Sequence, residues 1–169
     1  MARPLLDVMT SFEFPPLSTP SIAGFAEAPV MAPEVAADLA RRIVIDNAAG
    51  PPGGVLDDVN PLALGALEAA NSLHFRFRLS SFEGRGLASV LTGGDPFSIA
   101  GLDDAHPTRK VTVVLPLRAA AEIGFPSVAK VRSLAAGTIA MFPSFLYNEV
   151  IPAPEFLALA GHFIGPSFA

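Results

Sequence analysis

Apolar and polar positions alternate along this chain with two different periods, and the change from one to the other divides it. From Pro33 the spacing is helical: Val35, Ala36, Leu39, Ala40, Ile43 and Val44 form one stripe, with Pro suited to the first turn. Asp38 and Arg42 make an i,i+4 pair on the other side. Residues 47–54 (NAAGPPGG) stop that helix. Asn60-Pro61 predicts a second helix start with Asn as the cap, running to about Asn71 and burying Leu64 and Leu67. From His74 the period becomes two: His74, Arg76 and Arg78 alternate with Phe75, Phe77 and Leu79, the pattern of a half-buried strand. Short strands are expected over 86–92, 97–102, 109–117, 128–134, 137–142, 146–151 and 155–164, separated by turn residues that include Gly93-Gly94, Pro107, Gly124, Gly137 and Pro152. About eight short strands at this spacing predict a sandwich or barrel, with the two helices over one sheet's outer face. Residues 1–32, rich in Pro, Ser and Ala, read as an extended arm with an edge strand near 7–14. The expected organisation is one domain over 1–169, with arm and helices in 1–73 and the β core in 74–169.

Composition narrows the chemistry. There is no cysteine, which removes disulfides, thiolate metal sites and cysteine nucleophiles and suits a reducing compartment, so a cytoplasmic location is expected. Net charge is −5, with no run of Lys or Arg, which argues against nucleic acid. Asp7 and Glu13 interrupt the first apolar stretch, unlike a secretory signal, and no apolar run approaches membrane-spanning length. Hydrophobic residues make up 51% of the chain and charged ones only 16%, from which a homodimer is expected.

Four stretches carry a resemblance. They are residues 71–79 (NSLHFRFRL), 93–97 (GGDPF), 109–117 (RKVTVVLPL) and 136–144 (AGTIAMFPS). In order and spacing they resemble the prolyl-hydroxylase branch of the iron/2-oxoglutarate oxygenases, over about half of the chain. The Gly-Thr-x-x-x-Phe-Pro-Ser piece is the most specific. The resemblance implies a mainly β fold, a double-stranded β-helix (jelly roll, cupin-like) with two N-terminal helices packed on one sheet. It also implies where an iron site would lie. A His-x-Asp pair and a distal His would occupy one face of Fe(II), leaving positions for 2-oxoglutarate and oxygen. The first pair falls on Ala100 and Leu102, or with one inserted residue on Gly101 and Asp103; the distal position falls on Asn148. The basic residue for the co-substrate carboxylate would lie within 156–162 (FLALAGH), which holds no Arg or Lys. The three histidines, His74, His106 and His162, are none of them followed two residues later by Asp or Glu. On this reading no cofactor is expected, with Fe(II) as the alternative.

The remaining candidates follow from residue chemistry. Asp103, if buried against apolar walls, has its pKa raised into a range useful for acid–base work; otherwise it is an exposed loop residue. Tyr147, the single tyrosine, lies beside Asn148, as a pocket hydroxyl or a strand-rim residue. Arg76, Arg78 and Arg109 are candidates for an anionic ligand, or for a solvated sheet face. Ser144 is a turn residue and ligand contact rather than a nucleophile, since no histidine stands at a motif-like spacing. Asp104, His106 and His162 form a fallback metal set, or a polar turn. The function expected is that of a diverged dioxygenase-like protein. It binds a small, largely apolar molecule, with Asp103, Tyr147 and Asn148 as catalytic groups and Ser144 and His162 as contacts. The step would be non-oxidative: cyclisation, isomerisation or elimination. The alternatives are a non-catalytic binding or partner subunit, and an oxygenase with a non-standard metal site.

Overall fold

A computed structural model of the protein describes residues 25–46, 53–71, 83–99, 109–144 and 146–164. In chain order the elements are β1 (Ala26–Pro29), α1 (Pro33–Asp46), α2 (Gly53–Ala70), β2 (Glu83–Thr92), β3 (Arg109–Arg118), β4 (Ala121–Phe125), β5 (Lys130–Leu134), β6 (Thr138–Pro143), β7 (Glu149–Pro152) and β8 (Leu157–Ile164). One sheet has the order β1-β6-β3-β8-β2; the other has β5-β4-β7. Phe97 bridges to Val150 in antiparallel fashion and so extends the second sheet beyond β7. From β2 onward the chain crosses between sheets: β2 in the first, Phe97 in the second, β3 in the first, β4 and β5 in the second, then β6, β7 and β8 in turn. That alternation of antiparallel strands between two facing sheets is a jelly roll, mainly β with two helices, as expected.

Alternation along each strand makes two cores. On β3, β6 and β8 the odd positions Val111, Val113, Leu115, Leu117, Ile139, Met141, Leu157, Leu159 and Phe163 face the helices. Ala36, Leu39, Ala40 and Ile43 of α1 and Val55, Val59, Ala63, Ala66 and Leu67 of α2 close that layer. The even positions Val114, Ala140, Phe142, Ala158 and Ala160 face the other sheet, where Ile123, Phe125, Leu134 and Val150 meet them. Phe25, Phe125 and Phe142 stack there with centroids 5.0–6.4 Å apart.

Several expectations change. Val35 and Val44, placed in the α1 stripe, are half-exposed because they lie at its flanks. Asp38 pairs with Arg41 at 3.0 Å, one residue short of the expected Arg42. The second helix begins at Gly53, so Pro61 lies inside it and Asn60 is no cap. Asn60 instead reaches β2: its Oδ1 accepts from the Leu87 N–H (2.7 Å) and its Nδ2 donates to the Leu87 carbonyl (3.2 Å). The N-terminal part contributes a strand, β1, at Ala26–Pro29; the edge strand expected near 7–14 lies outside the described residues, as does the strand expected from His74. Strand β4 was not expected, and Gly124, read as a turn, sits within it on the outer face between Val131 and Glu149.

Candidate functional site

Of the site residues that the structure describes, Ser144 and His162 meet on the face of β3 that looks towards the second sheet. Thr112 is on β3 in register with His162 of β8 on one side and Phe142 of β6 on the other. All three occupy even positions, so the side chains of Thr112 and His162 lie on the inward face with Val114, Phe142 and Ala160. The Thr112 hydroxyl stands 3.1 Å from His162 Nδ1 and 3.1 Å from Ser144 Oγ. Thr112 is wholly buried, whereas Ser144 and His162 are half-buried, so this chain of three groups runs from the interior towards the surface.

A threonine hydroxyl has one proton, which couples its two partners. When Thr112 donates to Nδ1, Ser144 must donate to Thr112. When Nδ1 carries the proton and donates, Thr112 can donate to Ser144. Whether Nδ1 of His162 carries a proton thereby sets the polarity of the Ser144 hydroxyl.

Four residues after Ser144 comes Asn148. From Leu146 to Ile151 burial alternates strictly: Leu146, Asn148 and Val150 are buried, Tyr147, Glu149 and Ile151 exposed. Tyr147 therefore points away from the interior that Asn148 enters, which corrects the expectation that the two share a pocket. Phe97 and Val150 exchange backbone hydrogen bonds, N–H of Phe97 to O of Val150 at 3.0 Å and the reverse at 2.7 Å. Two residues further, the Ile99 N–H donates to Asn148 Oδ1 at 3.0 Å. The amide Nδ2 of Asn148 and the Oγ of Ser98 are buried with no hydrogen-bond partner among the described residues.

Asp103, Asp104, His106, Arg76 and Arg78 lie outside the described residues. For Arg109 the structure describes only the backbone, at the start of β3 opposite Ile164. The structure thus brings Ser144 and His162 together through Thr112, which sequence reasoning missed. Within VTVVLP a threonine reads as one more β-branched strand residue, and its partners are 32 and 50 residues away.

Among the described residues no three His, Cys, Asp or Glu side chains gather as a metal site. Asn148, at the position the resemblance gives to a distal histidine, has its oxygen engaged by a backbone N–H. The described side chains do not by themselves make an iron centre.

No protein-family model and no curated protein sequence matches the chain. Solved structures do. A Pseudomonas putida prolyl-4-hydroxylase superposes with a TM-score of 0.63 at 18% identity, covering 96% of this chain and 100% of that one. The viral collagen prolyl hydroxylase of Paramecium bursaria Chlorella virus-1 gives 0.60 at 15% identity, over 95% of this chain and 100% of that one. The same viral enzyme solved in its 2-oxoglutarate complex gives 0.57 at 16%, over 84% and 96%. This likeness corrects the expectation of no cofactor: the proteins built this way are prolyl hydroxylases, one of them solved with 2-oxoglutarate bound. Two sheets with interleaved strands, two helices on one face and an inward-facing polar end together give this chain the double-stranded β-helix fold of the prolyl hydroxylases.

Proposed function

We propose that this dioxygenase-like protein binds a small, largely apolar molecule between its sheets and transfers a proton on it. The observation that carries the reading is the Ser144–Thr112–His162 relay, which runs from the apolar interior between the sheets towards the surface. Ile99, Val114, Phe142 and Leu146 belong to the buried apolar cluster between the sheets, and burial there strengthens each polar contact. With His162 neutral at Nδ1, Ser144 Oγ takes a proton from the ligand, passes its own to Thr112, and Thr112 passes one to His162. Returned to a different ligand atom, that proton completes an isomerisation with no change of oxidation state. Asp103 remains the proposed second acid–base group.

The test is thermal unfolding of the full chain with acetophenone, cyclohexanone, benzoate and 2-oxoglutarate. A ligand at about a hundred times its Kd stabilises by about 2.7 kcal/mol, or roughly 5–10 °C at this size. At least one compound is expected to give a saturable shift that Thr112→Val removes. Absence of any shift across the set overturns the reading.

The likeness to prolyl hydroxylases favours one second reading, an oxygenase using Fe(II), with Asp104, His106 and His162 as the proposed ligands. Fe(II) would supply oxygen activation. Stoichiometric iron by mass spectrometry after anaerobic loading, lost in His162→Ala, selects this reading; iron at background level removes it.

A further inference from the structure

The end of the strand ladder at Asn148 fixes which hydrogen-bonding groups the interior offers. In the antiparallel pairing of Phe97 with Val150 both backbone bonds are made. Stepping two residues along each strand places Ile99 opposite Asn148, where the next ladder acceptor belongs. There the acceptor is the side-chain Oδ1, 3.0 Å from the Ile99 N–H, so an amide group continues the ladder in place of the main chain.

This engagement orients the amide. A flipped amide would set Nδ2 against the Ile99 N–H, donor against donor, and leave a buried backbone N–H unpaired at a cost of about 1–3 kcal/mol. Oδ1 is therefore committed to the fold, and Nδ2 faces the interior as a donor only. Asn148 is wholly buried, and Nδ2 has no partner among the described residues. The inward side chains of the same layer, Ile99, Leu146 and Val150, hold no acceptor to receive it. A buried donor left unpartnered is costly, and an acceptor supplied by a bound molecule relieves that cost.

We propose that Asn148 Nδ2 reads an acceptor oxygen, so that the site takes a molecule bearing a carbonyl or carboxylate and discriminates against its hydrocarbon isostere. This rests on the reading that the interior binds a small molecule. The relay end reinforces the same choice: with Nδ1 of His162 protonated, Ser144 too presents a donor. Ammonium groups meet donor against donor.

The experiment uses the 15N-labelled full chain and two isosteric pairs: acetophenone with α-methylstyrene, and cyclohexanone with methylenecyclohexane. Each pair exchanges C=O for C=CH2. The Asn148 side-chain NH2 resonances are identified by their loss in Asn148→Asp, which keeps an acceptor for the Ile99 N–H and replaces the donor by an oxygen. Expected is a saturable downfield shift of that NH2 pair with a ketone and not with its alkene. The ketone should bind about 10- to 100-fold more tightly, a preference that Asn148→Asp abolishes. Should the aspartate variant not fold, the comparison within the wild-type chain decides alone. Equal binding of ketone and alkene, lost in Thr112→Val, overturns the acceptor reading and leaves the small-molecule site standing. An NH2 pair that exchanges magnetisation with water and ignores a bound ketone also overturns it, by giving the donor to a buried water. No binding of any of the four compounds overturns both.

Discussion

Asn60 shows how a single side chain acquires a role that its neighbours in sequence conceal. Beside Pro61 it has the look of a helix cap, yet it sits within α2 and bonds both backbone groups of Leu87 on β2. Gly86, just before, has φ +58°, and the β2–β8 register shifts on either side of it. A side chain there would run into Asn60 Oδ1 and the Phe163 ring, so glycine is required by both conformation and space. Asn60 thus holds a bulge that would otherwise leave the buried Leu87 N–H unpaired. Asn60→Ala is expected to lower stability by about 1–3 kcal/mol, read by urea unfolding, with the m-value unchanged. Asn60→Asp, which keeps the acceptor, should recover part of the loss. At this scale legibility was uneven. Ser144 and Asn148 were legible through the resembling stretch and the distal-histidine position it implies, and His162 as one of three histidines. Thr112, which connects two of them, was not, because a β-branched hydroxyl residue fits a strand equally well with or without a partner.

Two elements carry sharp constraints. Where β8 crosses β2, a Cβ on Gly161 would overlap the Gly86 carbonyl oxygen, a backbone atom that the bulge fixes in place. Gly161→Ala is expected to cost about 3 kcal/mol or more, measured as a fall in the unfolding midpoint. On β1, burial raises the Glu27 carboxyl above its ordinary value of 4.5, partly offset by the positive field of Arg132 on β5. A carboxyl with a raised folded pKa binds its proton more tightly in the folded state. It therefore favours folding fully below about 4.5, and that contribution is lost as pH rises through the folded value. Glu27→Gln should then melt above the wild type at pH 7, with the gap closing below pH 4.5. A constant gap across that range would locate the effect elsewhere. Period-two patterning made β3, β6 and β8 legible to within a few residues. It failed for β4, whose AEIGF is led by alanine and broken by glycine; pairing with β5 and β7, not propensity, makes it a strand.

Over the whole molecule, the apolar composition goes first into two separate layers, one under the helices and one between the sheets. The expected homodimer is a matter for sedimentation velocity, where a clean monomer across a wide concentration range would remove it. Among the described residues no helix is long and apolar enough to cross a membrane. The jelly-roll class was legible from strand number and from four resembling stretches. Which strands lie side by side in the larger sheet was not, since its pairings join residues far apart in sequence: Ala26 with Met141, Thr92 with Leu157.

The last described strand, β8, is hydrogen-bonded on both sides, between β3 and the edge strand β2 of the larger sheet. On a ribosome this has a temporal meaning. Until Leu157–Ile164 has emerged, β2 and β3 have no common neighbour and the helices have only part of a surface to cover. The larger sheet consequently cannot be completed before β8 has emerged, and it forms slowly, because loop closure precedes its long-range pairings. Nascent chains arrested with an end at Glu155 clear of the exit tunnel should be cut rapidly by protease, and chains extended past Ile164 should resist. Resistance in the shorter chains would mean that the sheet assembles without β8.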